Sequence, residues 1–187
     1  MMPRHLLALF TMVSLSACGL GTISSIVPGD DSRFDARLVG TWGDSSGKES
    51  VTITGDSGSG YAIAYTDADG KQNPFEGQLG ALGGFLVLDL RPVEPELGLG
   101  DMYSSLLFRA HAPVVIDDIG SVLRFRLLEP DSLKALLARE PGLVAHALID
   151  DAVLLTAPTG ELRRFLTTYL RRPGVLTEQS SWVQRSR

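Results

Sequence analysis

The chain has little from which to build a metal or disulfide site. A single cysteine in 187 residues excludes an intrachain disulfide framework and any cysteine-rich zinc or iron–sulfur centre. Of three histidines, His5 stands at the extreme N-terminus, which leaves little for a histidine-based metal site. Cations are the minority: 17 Lys and Arg face 22 Asp and Glu, a formal net charge of -5. Nucleic-acid backbones are bound by clustered Lys and Arg, so nucleic acid is not an expected partner. There is no Walker A loop, no strand-to-helix GxGxxG and no H-E-x-x-H, so no cofactor and no metal are expected. What is present is globular composition, 44% hydrophobic and 21% charged, at a length suited to one domain plus a short appendage.

The N-terminus reads as an address. Arg4 supplies a short positive region, and residues 6–17 (LLALFTMVSLSA) are mostly apolar. That run is too short to span a hydrocarbon core, which needs about 20 residues, and fits a secretory signal. It closes on Leu15-Ser16-Ala17-Cys18-Gly19. This resembles the lipobox of bacterial lipoproteins. The resemblance implies cleavage before Cys18, a diacylglycerol on its thiol and an acyl group on the new amine. Two or three acyl chains satisfy the requirement for stable anchoring. Gly19 in place of Asp implies, by the same resemblance, the outer membrane facing the periplasm where the host has two membranes. Residues 1–17 are thus the expected signal peptide. Residues 18–36 are the lipidated cysteine and a Gly-, Ser- and Asp-rich tether reaching about 20–25 Å r.m.s..

From residue 37 to about 128 the pattern is short strands and turns. VTIT (51–54) and YAIAYT (61–66) alternate, which argues strands with unlike faces. GDSGSG lies between them, and TDADGK follows with its Asp69-Gly70 turn. A weaker strand is expected at 75–79, a clear one at 85–90, and a long strand or bent pair at 104–116. Asp117-Asp118-Ile119-Gly120 is expected to turn into 122–128. The stretch 91–101 is a loop, with two prolines and two glycines. Then the period changes. Asp131 can cap a helix carrying Leu133, Leu136 and Leu137, which Pro141-Gly142 stops. Residues 143–149 and 152–156 suggest a hairpin around Asp150-Asp151. A second helix begins near Thr159, where Leu162, Phe165, Leu166, Tyr169 and Leu170 form an apolar stripe that suits packing on a sheet. A partner-binding helix is the alternative.

Within this order stands Gly40-Thr41-Trp42, at the start of the first predicted strand. It resembles the Gly-x-Trp of the lipocalin and calycin group. That resemblance implies a mainly β fold, an up-and-down barrel of about eight strands over residues 37–175. In it Trp42 would plug one end and two short helices would lie in the C-terminal part. Residues 176–187 would be a tail. The family's later motifs find no clear match, and the hairpin between the helices is extra, so the barrel is expected to be enlarged or elaborated at one end. Barrels of this size have a filled core or one small-molecule cavity. Ala62, Ala64, Gly80, Gly83 and Gly84 are small enough to leave space.

Other motifs have simpler readings. Gly43-Asp44-Ser45-Ser46-Gly47 fits G-x-S-x-G, but that elbow needs a helix after the serine and here a strand follows. Gly55-Asp56-Ser57-Gly58 resembles the serine region of chymotrypsin-like proteases. Only His5 precedes Ser57, so the required base is missing. The pairs Asp117-Asp118 and Asp150-Asp151 read as turns, since two carboxylates in one turn do not make a calcium site. His146 lies in an apolar segment and suits a structural role. If residues 117–120 are the turn, His111 falls opposite Arg126. Arg109, His111, Arg124 and Arg126 then share one face, with Leu123, Phe125 and Leu127 on the other. The cationic face is either paired with acids in solvent or lines a mouth for an anionic headgroup.

Three functions remain in order. The first is non-catalytic binding of a small hydrophobic or amphipathic molecule by an envelope lipoprotein held to the membrane through its acyl chains. The second is a scaffold with a packed barrel that docks an envelope protein through its surface or residues 180–187, which include Trp182. The third is a hydrolase using Ser45.

Overall fold

In the computed structural model, which describes residues 19–58, 60–93 and 110–186, the alternating segments become strands. β1 is Leu20–Thr22, β2 Gly40–Gly43, β3 Ser50–Asp56, β4 Gly60–Thr66, β5 Gln72–Leu82, β6 Phe85–Pro92, β7 Ala112–Ile119 and β8 Val122–Leu127. Then come α1 (Pro130–Arg139), β9 (His146–Ile149), β10 (Ala152–Leu155), α2 (Thr159–Tyr169) and β11 (Ser180–Ser186). β2 to β8 form an antiparallel meander, and β11 pairs with both β8 and β2 to close a barrel of eight strands. Closure removes every open edge of that sheet. The expectation of a mainly β, eight-stranded barrel with two short helices in the C-terminal part is met.

The route to eight differs from the expected one. Among the described residues, the stretch up to Leu128 supplies seven barrel strands, and the eighth is the segment expected to be a tail. Trp182 sits in it at 8% exposure, so this stretch is wall and not a free docking arm. The barrel is not enlarged. The extra hairpin leaves it and forms a separate three-stranded sheet in the order β1-β10-β9. The part of the predicted 104–116 strand before residue 110 lies outside the described residues.

The tether reading is corrected as well. Leu20 pairs with Val153 in a parallel ladder, and Ile26 and Val27 are almost wholly buried. The segment bridges Ser32 to Gly80, Arg33 donates its N–H to the Leu79 carbonyl at 2.8 Å, and Phe34 stacks on Tyr61. Residues 19–33 therefore form a strap fastened across the outside of the barrel, and Phe34, Leu38 and Val39 turn in to join the interior core. Gly- and Ser-rich composition suggested slack chain, but Leu20, Ile26 and Val27 supply the apolar contacts that fix it. Gly80 makes the crossing possible, because a Cβ there would stand 2.6 Å from Cγ1 of Val27.

Two cores result. Inside the barrel lie Trp42, Ile53, Ile63, Leu79 and their neighbours. Outside it, the outward Val87 and Val115 pack with α1, α2, β10 and the strap. The α2 stripe lies in this outer layer, with Leu162, Leu166, Tyr169 and Leu170 buried. It is a helix packed on a sheet. α1 starts from Glu129 with Pro130 in its first turn, and Asp131 does not cap it.

Candidate functional site

Alternation along β3 and β4 sends Val51, Ile53, Tyr61 and Ile63 inward and Thr52, Thr54 and Ala62 outward. Trp42, fully buried, fills one end of the interior, and its indole N–H donates to the Leu38 carbonyl at 2.9 Å. Gly40, two residues before it, has a φ of 140°, a conformation that favours glycine, where the chain leaves its 3-10 turn (Ala36–Leu38) for β2. The opposite end is not filled. A cavity of about 300 Å³ lies there. Its walls include Val51 and Ala112, where β3 and β7 begin, and Tyr65, Leu90 and Leu127, where β4, β6 and β8 finish. Small-molecule pockets run from about 300 Å³ upward, and an apolar cavity of about 150 Å³ already takes benzene.

The lining is almost entirely aliphatic and aromatic. Trp182 from β11 stacks on Tyr65 at 6.4 Å between ring centroids and meets Phe125 edge-on at 5.3 Å. Such aromatic contacts add to the area the rings bury. Leu20 of the strap reaches the same cavity from outside the barrel. The expected sources of space do not supply it. Ala62 and Ala64 pair with the outward Thr54 and Thr52, Gly80 lies under Val27, and Gly83-Gly84 form the β5–β6 turn. The room comes from inward side chains that do not meet across the axis.

The Tyr65 hydroxyl donates to Glu49 Oε1 at 3.2 Å. Burial, then the charge of Glu49, push its pKa up to about 12. Tyr169, in the outer core, is also pushed up to about 12, mainly by burial. Both groups bind their proton more tightly in the folded state than in the unfolded one, where tyrosine titrates near 10. Their stabilisation is complete below about pH 10 and is lost as pH rises through about 12. We expect alkaline unfolding in that window, with two tyrosines forming tyrosinate only as the fold is lost. The fall in stability should be shallower in Tyr65→Phe, as read by tyrosinate absorbance beside circular dichroism.

The cationic cluster divides. Arg109 and Cys18 lie outside the described residues. Arg124 and Arg126 point out of the barrel, while Leu123, Phe125 and Leu127 face the cavity. Arg124 donates to Asp118 at 2.7 Å, and Arg126 makes a two-pronged contact with Asp117 at 2.8 and 2.6 Å. Burial pushes Asp117 up, but hydrogen bonds from Arg126 and Gln179 outweigh it and leave the carboxyl below its usual range. The two arginines thus brace the outer wall and do not line a mouth. This is the acid-paired alternative of the two; what differs is the register, because β7 continues through Asp117 and Asp118 to Ile119 and the chain turns after it. Arg126 then faces Val115, not His111.

His111 instead bridges Thr22 of the strap and places Nδ1 3.2 Å from Asp89 Oδ2. Asp89 is buried at 2% exposure. The same oxygen accepts from the Ser25 hydroxyl at 2.7 Å and from the N–H groups of Ile26 and Val27 at 2.9 and 3.4 Å. Sequence reasoning passed over Asp89. Its signal was an acid in the middle of an apolar strand, FLVLDL. Ser45 sits in the β2–β3 turn, and its neighbour Asp44 accepts from Ser46 and Glu49 N–H groups. His146 contacts the Val144 carbonyl at 2.9 Å. Among the described residues no group of three or more metal-ligating side chains gathers. The chain matches no family model, no curated protein and no solved structure.

Proposed function

We propose that this chain is a lipid-anchored envelope protein that binds a small hydrophobic or amphipathic molecule inside its barrel and catalyses no reaction. The observation that carries the reading is the unfilled apolar end of the barrel opposite Trp42. A scaffold has no need of such space, and empty apolar volume costs stability, so an occupant that fills it gains what the packing lacks. Support for the anchor comes from the N-terminal sequence, whose only cysteine, Cys18, follows an apolar run and a small residue. Support for a calycin relationship comes from Trp42, which closes one end of the barrel as the Gly-x-Trp resemblance implies. Outer-membrane placement facing the periplasm rests on Gly19, for a host with two membranes.

Titration of the purified full chain with N-phenylnaphthylamine, a neutral apolar fluorophore, tests the binding. Saturable enhancement is expected. Ala112→Trp, which places a ring at the open end, should weaken it about tenfold or more, equal to about 1.4 kcal/mol. Arg124→Glu, on the outer wall, should leave it unchanged. No saturable signal, or equal binding by the Ala112→Trp chain, would remove the cavity as the site. A loss with Arg124→Glu would place the probe on the outer wall and count against the cavity.

A further inference from the structure

The strap decides which way the barrel faces. Gly19 is not loose: its carbonyl accepts from the Val153 N–H at 2.5 Å, and Leu20 lines the open end of the cavity. Cys18 is therefore one Cα step, about 3.8 Å, from a backbone fixed at that end. On the same small sheet, Leu148 pairs with Val153, which pairs with Leu20, so the three share one cross-strand row. Neighbouring strands lie about 4.8 Å apart, which puts Leu148 about two strand spacings from Leu20. Leu148 is 61% exposed and Ile149 53% exposed, the two most exposed large apolar side chains among the described residues.

We propose that the β9–β10 hairpin, carrying Leu148 and Ile149, docks on the lipid bilayer beside the acylated Cys18, so that the open end of the barrel is held at the membrane surface. The proposal rests on the lipid anchor proposed above. Exposed apolar groups on a soluble surface mark an interaction site. With an anchor so close and no slack between, the bilayer is the surface those groups meet at the highest effective concentration. The turn fixes the depth. Asp150 and Asp151 lie between the two strands, and Asp151 is solvated with Lys134 3.6 Å away. Carboxylates resist entry to hydrocarbon, so the leucine and isoleucine reach the headgroup boundary and no deeper. A molecule bound in the barrel then comes from the bilayer and need not cross water.

The test uses the full chain, made in an acylating bacterial host and reconstituted in phosphatidylcholine vesicles. Leu148→Cys is labelled with an environment-sensitive fluorophore, and Ser57→Cys, in the turn between β3 and β4 at the far end of the barrel, serves as the control. Both positions are exposed, so neither change disturbs the core. We expect a blue shift for the label at 148. Its quenching by lipid nitroxides near the headgroup end should be several-fold stronger than at 57, and stronger than by nitroxides deep in the chain. Intact mass reports the acyl groups on Cys18 separately. Acylated chain with a label at 148 as unquenched as that at 57 would overturn the docking alone. A chain without acyl mass would overturn the anchor and the docking with it.

Discussion

Trp42→Ala should lower stability by about 3–5 kcal/mol, the largest loss expected from any single truncation in the barrel. The indole is fully buried among Leu38, Ile53, Ile63 and Leu79. Its removal leaves a void that β3, β4 and β5 cannot close, because each is held in its ladder on both sides. It also strands the Leu38 carbonyl, whose partner at 2.9 Å is the indole N–H. For a chain of this size each kcal/mol lowers the melting temperature by roughly 2–4 °C, so a drop on the order of 10 °C is expected in a circular-dichroism melt. Trp42→Phe keeps most of the packing and loses the hydrogen bond, for about 1–2 kcal/mol. A loss under about 1 kcal/mol for alanine would mean that the plug is dispensable. Binding should fall with stability in both variants, since the cavity wall shares Val51, Ile53 and Ile63 with the plug's packing.

The architecture was legible where a single period governs a segment. Val51-Thr52-Ile53-Thr54 and Tyr61 to Tyr65 show their faces in the sequence, and the Leu162 to Leu170 stripe shows its helix. What failed were long-range assignments. The ladder that makes β11 the eighth strand runs across more than fifty intervening residues, and local composition marks that segment only as polar, with Trp182 the sole hint. The strap failed for the opposite reason. Its Gly, Ser and Asp content describes unattached chain, and its attachment is made by three apolar side chains and one distant acid. The register of β7 against β8 failed because Asp117 and Asp118 read as a turn and are strand: the chain turns after Ile119, and that moves the partner of Arg126 from His111 to Val115. The cavity was legible only as one of two outcomes. Whether inward side chains meet across a barrel depends on its closure, which no stretch of sequence records.

Asp89→Ala should cost about 2–4 kcal/mol and should do so by detaching the strap. In the native chain one carboxylate oxygen accepts from a hydroxyl and two backbone N–H groups of the strap, and the His111 ring stands 3.2 Å from it. Alanine leaves these donors buried with no acceptor, and backbone donors cannot turn away without moving Ile26 and Val27 out of the outer core. Asp89→Asn retains an acceptor but not the charge that strengthens the three hydrogen bonds, so an intermediate loss is expected. Ser25→Ala, which removes one donor and leaves the rest, should cost least, about 1 kcal/mol. The informative measurement is hydrogen exchange. In Asp89→Ala the amides of Ile26 and Val27 should lose protection first, while those of β3 and β4, held by their own ladders, keep theirs until the whole domain opens. Uniform loss across the barrel would mean that Asp89 supports the interior and not the strap. With the strap released, residues 19–35 become the slack chain that their composition describes. Leu20 then leaves the cavity wall. A single acid in the middle of an apolar strand thus converts a linker into a bracket.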